Sequence, residues 1–120
     1  MAKYFKEAEF RKCVPACRMA DMRPRFLDKL DEIRERAGIP LVLNSAFRSV
    51  SYEKSKGRSG TSAHCLGCAA DIRCNTSANR FRIVKAAIAA GISRIGIGKT
   101  YIHLDNSVSH PQQVIWDYYE

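Results

Sequence analysis

The segment Ser62-Ala63-His64-Cys65-Leu66-Gly67-Cys68-Ala69-Ala70-Asp71 places an imidazole and a carboxylate seven residues apart, where a polar loop gives way to an apolar strand. Gly67 and the two alanines between them have small side chains, so the backbone there can approach neighbouring groups closely. The segment therefore predicts that a turn presents His64 and that a short strand presents Asp71.

The rest of the chain predicts two main helices and several short strands. Apolar residues fall at helical spacing from Asp21 to Ala37, with Asp21 as N-cap, Pro24 in the first turn and Gly38 at the end. A second helix follows Thr76 or Ser77 and stops at Gly91, with Ile83, Val84, Ala87 and Ile88 on its inner face. Strands are expected at Leu41-Val42-Leu43, Ala69-Ala70-Asp71-Ile72, Ile95-Gly96-Ile97, Tyr101 to Asp105 and Gln113 to Trp116. The pattern favours an α+β fold with a small, mostly antiparallel sheet.

Length and composition limit the class of protein. The 120 residues suit one domain, 1–120, and no apolar run reaches the roughly 20 residues of a membrane span. The start, MAKYFKEAEF, lacks the apolar stretch of a signal peptide, so synthesis in the cytoplasm is expected. Five cysteines cannot all pair within one chain, and most are expected to be ordinary buried thiols.

The formal charge of +8 is unevenly distributed. Residues 48–99 carry 10 basic and 2 acidic groups, whereas residues 100–120 carry no basic and 3 acidic groups. The middle of the chain is therefore expected to attract an anionic partner. The stretch from Ser49 to Thr61, rich in Ser, Lys and Gly, is expected to be a long loop of the functional or disordered kind.

The strand Tyr101-Ile102-His103-Leu104-Asp105 supplies a second imidazole. Alternation places Ile102 and Leu104 on the core face and the other three side chains on the opposite face. His64, Asp71 and His103 are then sufficient for a catalytic zinc site with its fourth position left to water. By themselves, two histidines and an aspartate are only suggestive.

The motifs resemble those of the M15 zinc peptidases, the D-alanyl-D-alanine carboxypeptidase family that includes phage endolysins. Residues 62–71 match its S-x-H-x-x-G-x-A-x-D signature, residues 101–105 resemble its F-I-H-V-D strand, and Asn44 to Ser49 resembles its S-G-Y-R-S segment. The resemblance implies the small α+β domain shared with the hedgehog signalling domain. It also implies a Zn²⁺ ion held by His64, Asp71 and His103.

The same resemblance suggests further roles near the metal. Arg48 would contact a substrate carboxylate or carbonyl, Ser62 would buttress the site, and Tyr101 could stack on or hydrogen-bond to substrate. A surface salt bridge for Arg48 and an exposed sheet position for Tyr101 are the alternatives. Trp116, with Tyr118 and Tyr119, could form an aromatic patch, although packing is the simpler expectation.

One departure from the family concerns the general base. Many members have an acidic residue three positions before the last ligand, where this chain has Thr100. Asp105 is therefore expected to act as the base, to orient His103, or simply to cap the following Asn106-Ser107 turn, with Glu53 as a weaker candidate for the base. Ala46 also replaces a usual glycine, which affects only local loop geometry.

The expected activity is a zinc metallopeptidase that hydrolyses an amide bond in peptidoglycan stem peptides, of the D,D-carboxypeptidase or the L-alanyl-D-glutamate endopeptidase type. It is expected to be a monomer that acts at the cell wall after phage-type release, where the basic surface meets an anionic wall polymer. One alternative is a zinc-containing wall-binding module without catalysis. A nucleic-acid-binding domain with zinc on Cys65 and Cys68 is disfavoured, since no basic residues are interleaved with stacking aromatics.

Overall fold

The computed structural model describes residues 3–119 and has a mixed α+β architecture built on a five-stranded sheet. Its helices are α1 (Glu7–Arg11), α2 (Pro24–Ala37), α3 (Val50–Ser55) and α4 (Ser77–Ala89), with 3₁₀ turns at Met19–Asp21 and Ala63–Leu66. Its strands are β1 (Leu43–Ser45), β2 (Ala69–Arg73), β3 (Arg94–Ile97), β4 (Tyr101–Asp105) and β5 (Val114–Asp117). None of the helices within residues 3–119 has the length and apolarity of a bilayer span.

The sheet has the order β1-β2-β4-β3-β5 and is antiparallel except where β5 pairs with β3. Strand β4 lies at its centre, so Ile102 and Leu104 are fully buried, as the alternation predicts. Helix α4 packs on β4, and α2 packs on α4. The opposite face of β4, with His103 and Asp105, is left to form a site.

The two main helices differ in detail from their predicted forms. Helix α2 begins at Pro24 rather than at a cap on Asp21, because Asp21 belongs to the preceding 3₁₀ turn, where its carboxylate accepts the Arg18 N–H. Thr76 caps α4 by accepting the Asn79 N–H at 3.1 Å. Ile88, expected on the inner face of α4, is 55% exposed. The buried stripe instead follows Ile83, Ala86, Ala87 and Ala90, which keeps strict helical spacing.

Two predicted boundaries on the site side are wrong. Strand β1 starts at Leu43, two residues later than expected, although Leu41 is still buried in the core. The segment expected to be one long loop contains α3, whose first turn is capped by the Ser49 hydroxyl accepting the Tyr52 N–H at 3.0 Å. This helix buries a carboxylate, Glu53, instead of an apolar stripe, so hydrophobic periodicity gave no signal for it.

Candidate metal centre

The 3₁₀ turn Ala63–Leu66 positions His64. Gly67 ends the turn at φ +73°, a left-handed conformation that favours glycine. The His64 Nδ1 atom lies 2.6 Å from the Ala46 carbonyl oxygen, so Nδ1–H donates there and the lone pair of Nε2 faces the site. The His64 side chain is buried.

Pairing of adjacent strands brings Asp71 and His103 together. The two residues are directly opposite each other in the β2–β4 register, where neighbouring side chains on one face come into contact. Asp71 Oδ1 lies 2.9 Å from His103 Nδ1 and 3.3 Å from His64 Nε2. The sheet and the 3₁₀ turn thus unite three residues that are far apart in sequence.

The donor set of these three residues fits a metal ion. One ligand atom from each lies within 4.8 Å of the other two, and all three side chains are buried. The second nitrogen of His103, Nε2, lies 2.6 Å from Asp105 Oδ2, so it carries a proton and leaves the Nδ1 lone pair facing Asp71. Two imidazole lone pairs and a carboxylate oxygen that converge would repel one another without a cation. Two imidazoles and one carboxylate suit zinc.

The pKa values of Asp71 and His103 are both shifted by their contacts within the cluster. Burial opposes ionisation of Asp71, but hydrogen bonds with His103 and His64 outweigh it and hold the pKa of Asp71 well below its usual range. Burial lowers the pKa of His103, yet its contacts with Asp105 and Asp71 raise that pKa overall. A proton on His103 can therefore supply the charge, and a bound metal ion would compete with it.

Asp105 lies at the edge of the His103 ring that faces away from Asp71. Its side chain is fully buried, and Oδ2 accepts the His103 Nε2–H. Oδ1 accepts the Arg94 Nε–H at 2.7 Å and the Ser107 N–H at 3.1 Å. Burial raises the pKa of Asp105, but these partners outweigh it and lower the pKa. Both oxygens are engaged by protein donors, a geometry suited to orienting His103.

Arg48 connects the cluster to α3. Its Nε donates to Ser45 Oγ at 2.9 Å, its NH2 donates to Asp71 Oδ2 at 2.9 Å, and its NH1 lies 3.7 Å from Glu53 Oε1. The guanidinium therefore reaches the oxygen of Asp71 that does not face the imidazoles. Only 17% of the side chain is exposed.

Glu53 lies beside this arginine on α3 and not in a mobile loop. Its side chain is 1% exposed and accepts hydrogen bonds from Arg58 NH1 at 2.6 Å and from Ser62 Oγ at 3.0 Å. Burial raises the pKa of Glu53, yet the bonds from Arg58 and Ser62 outweigh it and lower that pKa. A carboxylate with a lowered pKa is a weak proton acceptor. Ser62 thus contacts Glu53 and not the three candidate metal ligands.

Aromatic rings line the other side of the site. Trp116 on β5 lies 5.5 Å from the His103 ring, centroid to centroid, and Tyr118 lies 5.4 Å from Tyr101. Gly96 makes this arrangement possible, because a Cβ there would lie 2.7 Å from Tyr118 and 2.8 Å from Trp116. Trp116 therefore belongs to the site wall rather than to the core. Tyr119 lies outside the cavity described next.

The site opens into a cavity of about 490 Å³. Its lining includes the three ligands together with Arg48, Glu53, Arg58, Ser62, Arg94, Tyr101, Asp105, His110, Trp116 and Tyr118. A larger groove of about 850 Å³ lies between α2 and α4, but its lining has no carboxylate, imidazole or thiol. The smaller cavity is therefore the one equipped for chemistry.

The cysteines form no metal cluster within residues 3–119. All five are free, and the grouping suited to a metal in this range is His64, Asp71 and His103. Cys68 Sγ lies 3.7 Å from the Ala63 carbonyl oxygen, the contact of a buried thiol. This arrangement gives no support to zinc on Cys65 and Cys68.

Three participants were not anticipated from the sequence as members of the site: Arg58, Arg94 and His110. Arg94 pairs with Asp105, and His110 joins Ser107 Oγ at 2.7 Å to the Thr61 carbonyl oxygen at 3.0 Å. Arg58 follows Gly57 in the segment expected to be a loop. The excess of positive charge in residues 48–99 was the one available signal for the two arginines.

The fold and the cluster together define an α+β domain with a candidate metal site. The sequence matches the family described as Peptidase M15 over residues 3–105, and the chain belongs to this family. The structure is similar to that of the L-Ala D-Glu endopeptidase ChiX of Serratia marcescens, with a TM-score of 0.57 and 14% sequence identity over 91% of this chain and 92% of that one. A search of curated proteins returned no match.

Proposed function

We propose that the protein is a zinc-dependent peptidase that hydrolyses an amide bond in peptidoglycan stem peptides. The observation that carries the proposal is the convergence of His64 Nε2, Asp71 Oδ1 and His103 Nδ1 at the base of an open cavity in a chain of the M15 family. The choice of stem peptide is supported by the L-Ala D-Glu endopeptidase that shares the fold.

The three ligands would hold the ion, which supplies Lewis acidity and lowers the pKa of a bound water towards ~7. Asp105 keeps the proton of His103 on Nε2, so that Nδ1 remains a ligand. The carbonyl oxygen of Ala46 likewise keeps the proton of His64 on Nδ1, so that Nε2 remains a ligand. These two contacts fix both imidazoles before any substrate arrives.

Arg48 is proposed to stabilise the carbonyl oxygen of the scissile amide as negative charge develops on it. Its Nε and NH2 atoms are held by Ser45 and Asp71, and NH1 has only the longer contact with Glu53. A guanidinium fixed in this way needs little reorganisation during the reaction. Ser62 is proposed to support the arginine indirectly by holding Glu53, and Tyr101 to contact the peptide from the aromatic side.

A non-catalytic wall-binding module of the same fold is the second candidate. It is favoured by one observation: each carboxylate lining the cavity, Glu53, Asp71 and Asp105, already accepts a hydrogen bond from a described side chain or backbone group. Such a module would bind the peptide without cutting it. Its basic segment, residues 48–99, would still attract an anionic wall polymer.

Incubation of the zinc-loaded protein with purified muropeptides separates the two candidates. Peptidase activity predicts new free amines, and mass spectrometry of the products identifies the bond that is cut. The variant His64→Ala should release none above background. Binding of muropeptides without any new amine would favour the module and contradict the peptidase.

A further inference from the structure

The cavity contains three arginines, and they differ in how far their hydrogen-bonding capacity is already used. Arg94 is 11% exposed on its side chain and donates to Asp105 and to the Pro111 carbonyl oxygen at 2.6 Å. Arg48 is 17% exposed and contacts Ser45, Asp71 and Glu53. Arg58 is 51% exposed. Of the three cavity-lining arginines, Arg58 thus has the most accessible side chain.

Arg58 is nevertheless held in place. Its NH1 donates to Glu53 Oε2 at 2.6 Å, and its backbone N–H donates to the Glu53 carbonyl oxygen at 3.0 Å. Within residues 3–119, this guanidinium makes no hydrogen bond or ion pair with any other side chain, which leaves the edge formed by Nε and NH2 for a ligand. That edge is one of those through which arginine binds a carboxylate with two parallel hydrogen bonds.

The charge of the cavity also favours an anion. The three arginines are balanced by three carboxylates, Glu53, Asp71 and Asp105. A divalent ion on the three ligands would leave the cavity with a net positive charge. An anionic group of the substrate would therefore be attracted to Arg58, the most exposed of the three arginines.

We propose that Arg58 binds the free α-carboxylate of the residue on the C-terminal side of the scissile amide. The inference rests on the proposed function. In both candidate bonds, D-Ala-D-Ala and L-Ala-D-Glu, the residue whose nitrogen is released carries such a carboxylate. The last D-Ala ends the peptide, and glutamate in the stem is extended through its γ-carboxyl group, which leaves its α-carboxylate free. Arg58 is thus a specificity residue, whereas Arg48, of which only NH1 lacks a close partner, serves the carbonyl.

The test compares two synthetic peptides that differ in one group: a stem peptide with the free α-carboxylate and the same peptide with that carboxylate amidated. They are built on whichever bond the wild-type protein cuts. The wild type should cleave the carboxylate form with a kcat/KM about 10- to 100-fold higher than that of the amide form, as expected when a charge-assisted hydrogen bond is lost.

The variant Arg58→Gln should lose this preference, because its KM for the carboxylate peptide should rise much more than its KM for the amide peptide. Arg58→Lys keeps the charge but not the two-bond geometry, so it should retain an intermediate preference. Arg58→Lys also keeps a cation beside the buried Glu53, so it still tests the inference if Arg58→Gln folds poorly. Arg82→Gln, on the exposed face of α4, is the matched control and should behave as the wild type.

The outcomes distinguish this inference from the function on which it rests. A wild type that cleaves the peptide while Arg58→Gln and Arg58→Lys both keep the full carboxylate preference overturns the role of Arg58 and leaves the peptidase intact. A zinc-loaded wild type that cleaves neither stem-peptide bond overturns both. Loss of the preference in Arg58→Gln, but not in Arg82→Gln, supports the inference.

Discussion

His103 and Asp105 alternate along β4 so that both side chains project to the same face, and the Nε2 atom of His103 lies 2.6 Å from Oδ2 of Asp105. The opposite ring nitrogen, Nδ1, faces Asp71 at 2.9 Å. One strand thus carries both a candidate metal ligand, His103, and the carboxylate that selects its tautomer. This pairing gives a role in orienting His103 to the fully buried carboxylate two residues further along the strand.

The orienting role of Asp105 predicts the effect of Asp105→Asn. The variant keeps the shape of the side chain but loses the charge that stabilises the Nε2–H tautomer, so zinc affinity should fall about 10- to 100-fold. It also leaves the buried Arg94 without its carboxylate, which should lower the free energy of unfolding by roughly 3–5 kcal/mol. Competition with a chromophoric chelator measures the first effect and denaturant unfolding the second.

Asp117→Asn is the matched control, because this exposed aspartate on β5 does not contact the cluster. Zinc affinity and stability should stay close to those of the wild type. Wild-type zinc affinity in Asp105→Asn would show that Asp105 does not orient His103.

Metal removal should destabilise the folded chain. A ligand that binds only the native state at 100 times its Kd contributes about 2.7 kcal/mol, which for a domain of this size corresponds to roughly 10 °C in Tm. Adding zinc to chelator-treated protein should therefore raise the Tm, and scanning calorimetry measures the change. His64→Ala should abolish the zinc-dependent part.

His110→Ala provides a histidine control in the same cavity. His110 contacts Ser107 and Thr61 but lies outside the ligand cluster, so its removal should preserve the zinc-dependent rise in Tm. An equal loss of the rise in both variants would contradict the proposed ligand set.

The sequence predicts the sheet-borne part of this site well because local rules apply there. Alternation in residues 101–105 identifies which side chains leave the core, and the small residues before Asp71 indicate a close backbone approach. Family resemblance then selects His64, Asp71 and His103 from several possible combinations. The family, the α+β class and the mostly antiparallel sheet predicted in this way are confirmed.

Prediction failed where tertiary contacts overrode local pattern. Helix α3 carries no apolar stripe, because its buried side chain is a carboxylate neutralised by Arg48 and Arg58, which approach from outside the helix. Nothing within residues 50–55 indicates those partners. The wall formed by Trp116 and Tyr118 likewise depends on β5 pairing in parallel with β3, a long-range connection that strand propensity does not predict.

The three contacts of Arg48 predict that lysine cannot replace it. A single ammonium group cannot reach Ser45, Asp71 and Glu53 in the fixed fork of a guanidinium, so Arg48→Lys should lower kcat more than about 10-fold. Zinc affinity should change far less, because the three ligands remain. Activity on muropeptides and chelator competition measure the two quantities separately.

Lys29→Arg is the control. It exchanges the same two residue types on α2, outside the cavity, and should leave kcat unchanged. A lysine variant at position 48 with wild-type kcat would contradict the role of Arg48 at the carbonyl. An equal fall in zinc affinity and activity would instead indicate that Arg48 acts through Asp71.

Gly67 and Gly57 form a natural pair for testing how the backbone holds His64. Both have positive φ, +73° and +78°, so alanine at either position should cost about 1–2 kcal/mol of folding free energy. A Cβ at Gly57 meets nothing within 4 Å, whereas one at Gly67 would lie 2.5 Å from the Asp21 carbonyl oxygen. Backbone cannot yield as a flexible side chain does, so Gly67→Ala should cost roughly 1–3 kcal/mol more.

The backbone shift forced by Gly67→Ala acts on the 3₁₀ turn that carries His64. The Gly67 N–H donates to the His64 carbonyl oxygen at 3.3 Å, and the Gly67 carbonyl oxygen accepts the Arg23 N–H at 2.9 Å. Zinc affinity should therefore fall in Gly67→Ala and stay unchanged in Gly57→Ala, as measured by chelator competition below the Tm of each variant. Equal destabilisation of the two variants, with equal zinc affinity, would contradict the idea that close packing at Gly67 positions the ligand. A fall confined to Gly67→Ala would tie the glycine of the signature to the geometry of the metal site as well as to the fold.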